Sequence, residues 1–384
     1  MNADSEVPVV KLTRELVGRA SENPPGNERA VAEWIAERLE TSSASFSVET
    51  TDVFERRPNV VARAGNPERG SLLLAGHTDV VPADESNWTT DPYNPTVRSG
   101  RLVGRGTADM KGAIAAMVVA AERYLKSAEN PGEVILAFVV DEEHGGNGMQ
   151  RLVDDGVSAD AAVIGEPTGL NVCTAIKGVA RYEVSIHGES CHSGQPDEGQ
   201  DAMRGLKELL SRIEDLDAAL ESTSHEVLAH EDVTVTEVSG GLAPNVVADR
   251  ADVTIDWRFL PGTTEPDPFD ERLRSTLADL CVNATEFPVD IDRTVFARAG
   301  ETEPDHPIVT TVIDAAHENG INAALVGFNA ATDARFLIHD AKIPTVHFGP
   351  GSITEDAHTV DESIAVSDLT AAVAAYEAIL ESTL

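Results

Sequence analysis

The sequence predicts an α/β fold with a mixed, mostly parallel sheet, helices on both faces of that sheet, and an inserted α+β domain of ferredoxin-like topology. Two apolar runs carry the first part of this prediction, SLLLAG at 71–76 and EVILAFVV at 133–140. Neither run alternates with polar residues, which is typical of parallel strands buried on both faces. An alanine-rich helix is predicted between them at 112–127, and strands that alternate with helices favour a parallel sheet covered by helices.

The segments before and after these runs are predicted to add further strands to the sheet and further helices to its faces. Apolar residues at helical spacing predict helices near both ends of the chain, and short apolar runs predict two more buried strands. In chain order these elements are a helix at 6–20, a helix at 27–40, a strand at 161–165, a helix near 307–319, a strand at 343–349 and a helix near 362–382.

The middle of the chain has a different pattern, in which apolar and polar residues alternate along the strands as they do when one face is exposed. The predicted elements are a strand at 180–189, a helix at 201–216, strands at 232–240 and 251–260, a helix at 267–281 and a strand near 286–295. The order β-α-β-β-α-β is that of the split βαβ sandwich. We therefore predict an inserted domain at 177–294 and a discontinuous α/β domain at 1–176 and 295–384.

The charge of the chain excludes two classes of partner. The 384 residues include 66 acidic and 29 basic side chains, for a net charge of −37, whereas nucleic acids and anionic lipid surfaces attract an excess of Lys and Arg. The acids are spread along the whole chain, and their repulsion is screened at roughly 1 M salt, where the Debye length is about 3 Å. We interpret the composition as halophilic adaptation; an ordinary acidic enzyme is the alternative.

Cysteine usage and the lengths of the apolar runs predict a soluble, cytoplasmic protein. The three cysteines, Cys173, Cys191 and Cys281, are odd in number and widely spaced, which argues against a disulfide scaffold or a CxxC metal site. The first residues, MNADSEVPVVKL, lack the pattern of a signal peptide. No apolar run reaches the roughly 18 residues that a membrane span needs.

Histidine and acidic residues follow several of the predicted strands. They lie in AGHTDVV, GRGTADMKG, VVDEEHGG, GEPT and EDAHTVDE, and they are His77, Asp79, Asp109, Glu142, Glu143, Glu166 and His358. In open α/β sheets, ligands bind outside the carboxyl ends of the strands, so we expect these side chains to meet at one edge of the sheet. With 66 acids in the chain, chance, a solvated turn or a surface histidine also explains each motif taken alone.

This set of side chains suits a metal centre. Imidazole and carboxylate bind Zn²⁺, Co²⁺ or Mn²⁺, and the absence of cysteine from this set argues against a structural zinc site. Two metals close together need a shared carboxylate, for which Asp109 is a candidate because it lies in a glycine-rich loop. Asp79 is placed to accept the second N–H of His77. If the backbone is extended there, Glu142 and Glu143 point to opposite sides, and one is expected to bind metal while the other acts as general base.

Taken together, the motifs resemble those of the acetylornithine deacetylase / succinyl-diaminopimelate desuccinylase family of metallo-amidohydrolases, which also includes glutamate carboxypeptidase-like enzymes. The motifs that carry the resemblance are GHTDVVP, GRGTADMKGAIAAM, DEEHGGNG, GEPT, HSGQP, GGLAPNVVAD and AH-x-x-DE, in family order from about Asn23 to His358. The resemblance implies a zinc-peptidase-like α/β domain, and an inserted domain that serves as a lid and as the interface of a homodimer. It also implies a cis peptide bond between Asp109 and Met110.

The resemblance further implies roles at the metal centre. Two divalent ions are expected, Zn²⁺ first, with Co²⁺ or Mn²⁺ as alternatives. Their implied ligands are His77, Asp109 and Glu166 for one ion and Asp109, Glu143 and His358 for the other, with Asp109 shared. Asp79 would orient His77. Glu142 would be the general base, which takes a proton from the attacking water and hands it to the leaving amine.

In the inserted domain the resemblance points to three residues. His192, in CHSGQP, matches a lid histidine that reaches the partner subunit's active site and stabilises the tetrahedral oxyanion. Asn245, in APNVV, and Arg258, in DWRF, match positions that bind the substrate carboxylate. A plain loop residue is the alternative for His192, and a structural ion pair is the alternative for Arg258.

The implied function is that of a metal-dependent deacylase of N-acyl amino acids. N-succinyl-diaminopimelate, in lysine biosynthesis, is the first candidate substrate. N-acetylornithine, in arginine biosynthesis, and other N-acyl amino acids or dipeptides stay open, because GFNAATDARF at 327–336 departs from the desuccinylase-type Ser-Asp-Gly-Arg-Phe at Thr332 and Ala334. A non-catalytic metal-binding or ligand-binding relative is a remote alternative, which the presence of Glu142 disfavours.

The acidic composition predicts that stability depends on salt. We expect the melting temperature to rise between low and multimolar KCl, because salt screens the repulsion among the excess carboxylates. Scanning calorimetry at constant pH measures this change. A melting temperature that does not rise would favour the ordinary acidic enzyme.

Overall fold

A computed structural model describes residues 7–282 and 285–384, which form two compact units. The first unit comprises Met1–Thr174, Glu301–Val326 and Thr332–Leu384, and the second comprises Ala175–Gly300 and Gly327–Ala331. Residue 6, the predicted start of the first helix, lies outside the described residues. The second unit is slightly longer than the inserted domain predicted at 177–294, and the role of that domain as lid and interface stays a prediction.

Helices and strands are distributed along the whole of the described chain. The helices are α1 (Pro8–Val17), α2 (Arg29–Glu40), α3 (Gly112–Ser127), α4 (Asn147–Asp154), α5 (Ala202–Leu220), α6 (Asp267–Leu277), α7 (Pro307–Glu318), α8 (Ala334–Phe336) and α9 (Val366–Thr383). The strands are β1 (Ser47–Phe54), β2 (Arg57–Ala64), β3 (Asn66–His77), β4 (Thr96–Arg98), β5 (Arg101–Val103), β6 (Gly132–Val139), β7 (Ala161–Ile164), β8 (Val172–Ile176), β9 (Gly178–His187), β10 (Asp232–Gly240), β11 (Arg250–Phe259), β12 (Cys281–Val282), β13 (Thr285–Glu286), β14 (Val289–Ala297), β15 (Gly300–Glu301), β16 (Leu325–Phe328), β17 (Thr345–His347) and β18 (Ser363–Ala365).

The larger sheet is parallel at its centre. Its strand order is β1-β2-β6-β3-β7-β17-β8-β15, with β16 paired to β8. The four central strands, β6, β3, β7 and β17, run parallel, and Leu74 of β3 lies opposite Leu136 of β6 and Val163 of β7. The β1–β2 hairpin and β8 are antiparallel to their neighbours on either side. The predicted mixed sheet with a mostly parallel centre is confirmed.

Both faces of the central strands are buried, which explains their continuous apolar runs. Leu72 and Leu74 belong to one core cluster with side chains of α1, α2, α3, α7 and α9. Leu73, which points to the opposite face, is equally inaccessible to solvent. Met149 and Leu152 of α4 are buried outside that cluster, and α4 contacts β1, β2 and β6. Helices therefore cover both faces of the sheet.

The structure contains elements that the sequence pattern did not indicate. β1, with the sequence SVETTDVF, has no buried position along its length, because it is the edge strand of the sheet. α4 is only eight residues long, and β4, β5 and β18 are strands of three residues that form a small antiparallel sheet. Short or exposed elements lack the apolar periodicity that identifies a strand or helix.

In the second unit, a four-stranded antiparallel sheet carries two helices. Its strand order is β10-β11-β9-β14, which places the first strand between the third and the fourth. α5 contacts β9, β10 and β11, and α6 contacts β14. Trp257, Phe259 and Phe269 meet in the core, with 4.2 Å between the ring centroids of Phe259 and Phe269. The predicted ferredoxin-like topology is confirmed.

The three cysteines carry free thiols, as their spacing predicts. Cys173 is buried, and burial raises the pKa of its thiol to about 12. Within residues 7–282 and 285–384, no helix combines the length and the apolar character that a bilayer crossing needs.

Candidate metal centre

His77 ends β3 at the carboxyl end of the parallel strands. Its ring is buried, with Nδ1 2.9 Å from the main-chain oxygen of Asp79 and Nε2 3.0 Å from Oδ1 of Asp109. Nδ1 donates its proton to the carbonyl oxygen, so Nε2 faces a carboxylate. Burial disfavours the imidazolium, but the hydrogen bonds to Asp109 and Asp79 outweigh it and raise the pKa of His77 well above its ordinary value. A proton or a cation is therefore required between His77 and Asp109.

Asp109 lies between two histidines. It belongs to an irregular helical turn, Thr107–Lys111, and the Asp109–Met110 peptide bond is cis, as the resemblance implies. Its Oδ1 faces Nε2 of His77 at 3.0 Å, and its Oδ2 faces Nε2 of His358 at 3.2 Å. Burial raises the pKa of Asp109, but His358 and His77 together bring it below its ordinary value. A carboxylate with each oxygen directed at a different imidazole has the arrangement of a bridging ligand.

Glu143 and His358 face the second oxygen of Asp109. Nε2 of His358 lies 3.1 Å from Oε2 of Glu143 and 3.2 Å from Oδ2 of Asp109. The hydrogen bonds to Asp109 and Glu143 raise the pKa of His358 to about 10. Ligand atoms of His77, Asp109 and Glu143 all lie within 4.8 Å of one another, which is close enough for a shared metal centre.

Glu166 follows β7 and brings a further carboxylate to this group. Its side chain is buried, and Oε1 has no hydrogen-bond partner among the described residues. Burial, followed by the negative charge of Asp109, raises the pKa of Glu166 to about 8. A buried oxygen without a partner is costly unless a cation binds it, so this orphaned oxygen is an observation that favours metal binding.

Asp79 organises the turn that carries Glu142 and Glu143. Its Oδ1 accepts the N–H of Glu142 and its Oδ2 accepts the N–H of Glu143, both at 3.2 Å. Residues 142–145 form a turn, so the extended backbone on which the opposite orientation of the two glutamates depended is not present. The contact of Asp79 with His77 is made by its main-chain oxygen at 2.9 Å, whereas its Oδ1 lies 3.6 Å from Nδ1.

Desolvation gives Glu142 a raised pKa, which suits a candidate general base. Desolvation, followed by the negative charge of Glu166, raises the pKa of Glu142 well above its ordinary value. A carboxylate with a raised pKa accepts a proton more readily near neutral pH and can later return it. The positive charge of His77 acts in the opposite direction, but it does not cancel the rise.

Two residues that the sequence analysis did not assign, Asp333 and Asn23, interact with the cluster, and His347 is a further buried polar residue of the same unit. Asp333 is buried, neither of its carboxylate oxygens has a hydrogen-bond partner among the described residues, and burial raises its pKa to about 6 against the opposing charge of Arg335. His347 is buried with Nε2 2.8 Å from Oγ1 of Thr332, and burial lowers its pKa to about 3. Asn23 donates to carboxylate oxygens of Asp79 and Asp141, both at 3.0 Å. In the sequence, only the TDARF motif, which contains Asp333, pointed to this residue.

His192 and Asn245 lie on neighbouring loops of the second unit. Both residues are exposed, and the main-chain N–H of Ser193 donates to the oxygen of Asn245 at 3.0 Å. Nδ1 of His192 accepts the N–H of Gly194 at 3.0 Å. In a neutral imidazole that contact leaves the ring proton on Nε2, so His192 presents a hydrogen-bond donor. Its predicted catalytic role stays a prediction.

Arg258, on β11 of the second unit, pairs with a carboxylate of its own strand. Its Nε donates to Oδ1 of Asp256 at 2.5 Å, and Arg181 donates to Oδ2 of the same residue at 2.7 Å. The observed contact is the structural ion pair that was the alternative for this residue. The predicted role of Arg258 in binding a substrate carboxylate is not tested by this contact and stays a prediction.

The donor set of the first unit fits divalent cations. Two imidazole nitrogens point at the oxygens of one carboxylate, and a neighbouring buried carboxylate oxygen has no partner among residues 7–282 and 285–384. Positive charge between these groups satisfies both observations. Imidazole and carboxylate are the donors that zinc, cobalt and manganese share.

The match to a family model decides the classification. The model of peptidase family M20/M25/M40 matches residues 73–382, which contain every residue of the cluster from His77 to His358. This chain belongs to peptidase family M20/M25/M40. It is a metal-dependent hydrolase that acts on amide bonds.

Relatives within peptidase family M20/M25/M40 differ in substrate. An acetylornithine deacetylase from Proteus mirabilis is 32% identical, with 92% of this chain and 91% of that protein covered. A succinyl-diaminopimelate desuccinylase from Methylobacterium radiotolerans is also 32% identical, with 100% of this chain and 99% of that protein covered. The resemblance found in the sequence is therefore confirmed, and the relatives leave two substrates open.

Solved structures show the same fold. A tripeptidase from Staphylococcus aureus has a TM-score of 0.80 at 19% identity and covers 98% of both chains. The Bacillus subtilis YXEP protein, a dinuclear metal binding peptidase of the M20 family, has a TM-score of 0.72 at 17% identity over 98% of this chain and 97% of that chain.

The raised pKa of Glu166 predicts a pH dependence for the metal-free protein. A carboxyl group whose pKa rises from 4.5 to about 8 on folding binds more protons in the folded state between these values. The free energy of unfolding therefore falls as the pH rises through this window. Glu166→Gln removes the titration, so we expect its urea midpoint to exceed the wild-type midpoint by a margin that grows from about pH 5 to about pH 8.

The control for this experiment is Glu355→Gln, at an exposed glutamate of the same unit. Its urea midpoint should keep a constant offset from wild type over the same pH range. If the offset of Glu166→Gln is also constant, the carboxylate is not destabilised by burial in the folded protein.

Proposed function

We propose that this protein hydrolyses the amide bond of N-acyl amino acids at a centre of two divalent cations, with N-succinyl-diaminopimelate as its substrate. The observation that carries the proposal is the carboxylate of Asp109, whose oxygens face His77 and His358 at 3.0 and 3.2 Å. A shared carboxylate between two imidazoles, with the desolvated Glu142 nearby, supplies the bridging ligand and the base that a two-metal hydrolase needs.

The ligands follow from the geometry and the resemblance together. We assign His77, Asp109 and Glu166 to one cation and Asp109, Glu143 and His358 to the other. When bound, the cations would lower the pKa of the attacking water and polarise the carbonyl group of the substrate. Zn²⁺ is our first candidate, and Co²⁺ or Mn²⁺ would bind the same donors.

Glu142 moves the proton in the proposed reaction. Its carboxylate accepts a proton from the water that attacks the acyl carbon. The resulting carboxylic acid donates the proton to the leaving nitrogen as the C–N bond breaks, so that a free carboxylate and a free amine are the products. Asp79 holds Glu142 in place through the main-chain hydrogen bond at 3.2 Å.

We further propose a homodimer in which His192 acts in the active site of the other subunit. The N–H of Gly194 occupies Nδ1 of His192 at 3.0 Å, so Nε2 is the donor available for the tetrahedral oxyanion. Asn245 and Arg258 are proposed to bind the carboxylate of the amino-acid part of the substrate. Arg258 would exchange Asp256 for the substrate, since its planar guanidinium pairs with either carboxylate.

The second candidate substrate is N-acetylornithine. The Proteus mirabilis relative, an acetylornithine deacetylase, has the same identity of 32% as the desuccinylase relative, and it covers 92% of this chain. We favour the desuccinylase reaction because its relative covers 100% of the chain and because the TDARF segment is similar to the desuccinylase loop. Either reaction belongs to amino-acid biosynthesis, which fits a cytoplasmic enzyme, and the acidic composition fits a salty cytoplasm.

Side-by-side kinetics test the substrate. Protein kept in high KCl is stripped with chelator, reloaded with Zn²⁺ or Co²⁺, and assayed for kcat/KM on N-succinyl-diaminopimelate and N-acetylornithine. We expect the first substrate to be preferred. Preference for the second would support the deacetylase, and turnover of neither by the metal-loaded protein would point to another N-acyl or peptide substrate.

Replacement of Glu142 tests the base. Glu142→Ala should abolish turnover and keep the metal content of wild type, because Glu142 is assigned as base and not as ligand. The measurements are kcat and metal content after dialysis. His144→Ala, at an exposed residue of the same turn, is the control and should keep both. Activity of Glu142→Ala within tenfold of wild type would overturn the assignment.

Replacement of His192 tests the proposed donor. His192→Ala should lower kcat by roughly 10²–10³, the range for loss of one oxyanion donor, with metal content unchanged. Mixed dimers of Glu142→Ala and His192→Ala subunits form one active site that has both residues, if His192 acts across the dimer. We expect such dimers to regain activity. Mixed dimers without activity would contradict the action of His192 in the other subunit.

A further inference from the structure

Glu362 is a buried carboxylate of the first unit to which the proposed function gives no role. It follows His358 by four positions and only 1% of its surface is exposed. Its Oε2 accepts hydrogen bonds from Nη1 of Arg105 at 2.7 Å and from the N–H of Gly106 at 2.9 Å. Its Oε1 accepts the N–H of Ala108 at 2.8 Å and the N–H of Asp109 at 3.1 Å. The four donors belong to residues 105–109, which lead into and begin the turn that carries the shared carboxylate.

The segment at residues 105–109 needs a hydrogen-bond acceptor at the position of the Glu362 carboxylate. Three of its main-chain N–H groups point to one side chain, and the main-chain oxygen of Glu362 accepts a further N–H, that of Gly104, at 2.9 Å. Gly106 has a φ of 83°, a left-handed conformation that turns the chain sharply. Buried N–H groups require an acceptor, and within the part of the chain that the structure describes Glu362 supplies it.

Contacts on both sides of Glu362 hold the segment that carries His358. Upstream, Asp356 accepts the N–H of Ser352 at 3.1 Å and pairs with Arg101. Asp361 accepts the N–H and the hydroxyl of Thr89, both at 2.9 Å. Directly after Glu362, β18 pairs with β5. The carboxylate of Glu362 is therefore the junction between the segment of His358 and the turn of Asp109.

We propose that Glu362 is a positioning residue, which sets the place of Asp109 relative to His358 and thereby the affinity of the centre for metal. His358 lies 3.2 Å from Oδ2 of Asp109, and both are ligands of the same cation in the proposed function, on which this inference rests. Two acceptor oxygens are needed, since each oxygen receives two donors. A glutamine has only one acceptor oxygen, and its NH₂ group would face donors.

Zinc affinity distinguishes positioning from a merely structural role. Metal-free wild-type and Glu362→Gln proteins are titrated with Zn²⁺ in competition with a chromophoric chelator, in high KCl. We expect the zinc affinity of the variant to fall about 10–100-fold, the range for loss of a residue that orients a ligand. The visible spectrum of the Co²⁺-loaded protein should also change, because the ligands around the ion are displaced.

A matched variant controls for loss of stability. Val312→Ala truncates a fully buried side chain of α7 and lowers the melting temperature without removing a hydrogen bond. Its zinc affinity should stay within threefold of wild type. The proposal is overturned if Glu362→Gln stays within that limit, or if Val312→Ala at an equal loss of melting temperature loses as much affinity as Glu362→Gln.

A second pair of variants covers the case in which Glu362→Gln does not fold. Glu362→Asp keeps the charge but is one methylene shorter, so it cannot reach all four donors and should also lose zinc affinity at least tenfold. Arg105→Lys removes one guanidinium contact and keeps the three main-chain contacts, so its zinc affinity should stay near that of wild type. Equal losses in Glu362→Asp and Arg105→Lys would overturn the proposal.

The failure of this inference is distinguishable from the failure of the proposed function. Wild-type protein that binds two zinc ions, together with Glu362 variants of unchanged affinity, contradicts only the role of Glu362. Wild-type protein that binds no zinc pair, or a His77→Ala variant that binds zinc as wild type does, contradicts the ligand assignment itself.

Discussion

The concentration of buried carboxylates at one edge of a parallel sheet is the constraint on which the rest of the first unit depends. Asp109, Glu166 and Asp333 are buried beside Glu142 and Glu143, and four of these five groups have raised pKa values. Charges in such a place are costly unless they are paired. Two histidines balance part of the negative charge. Oxygens of Glu166 and Asp333 have no hydrogen-bond partner in the described part of the chain. The centre therefore demands cations, which explains why this hydrolase depends on metal.

Two further carboxylates are not assigned as metal ligands. They accept hydrogen bonds from the main chain of the loops at the centre. Asp79 accepts the N–H groups of Glu142 and Glu143, and Glu362 accepts three N–H groups of residues 106–109. Loops at strand ends have N–H groups that no neighbouring strand can pair. A buried acid satisfies two or three of them at once, so the acidic composition of the chain is used inside the protein as well as on its surface.

The relatives of this chain differ in the substrates that their names give, although solved structures show the same fold. Deacetylase and desuccinylase relatives are equally similar to this chain at 32% identity, and a tripeptidase shares its fold. Neither the identity to these relatives nor the shared fold therefore selects one substrate for this chain. In this chain, Thr332 and Ala334 are the two positions at which the TDARF segment departs from the desuccinylase-type loop.

The sequence by itself determined the central strands and α3, and it predicted the side chains that the fold brings together in the candidate metal centre. Burial on both faces leaves a continuous apolar run in the sequence, and each of these side chains lies in a short motif at the end of such a run or beside a glycine-rich turn. Only the tertiary structure decided the β1–β2 hairpin, the turn at 142–145, the pairing of Arg258 with Asp256 and the burial of Asp333. It alone also showed that Glu362 meets Asp109, from which it is separated by 253 positions. Contacts over such distances leave no local periodicity, because they arise from the packing of segments that the chain brings together only on folding.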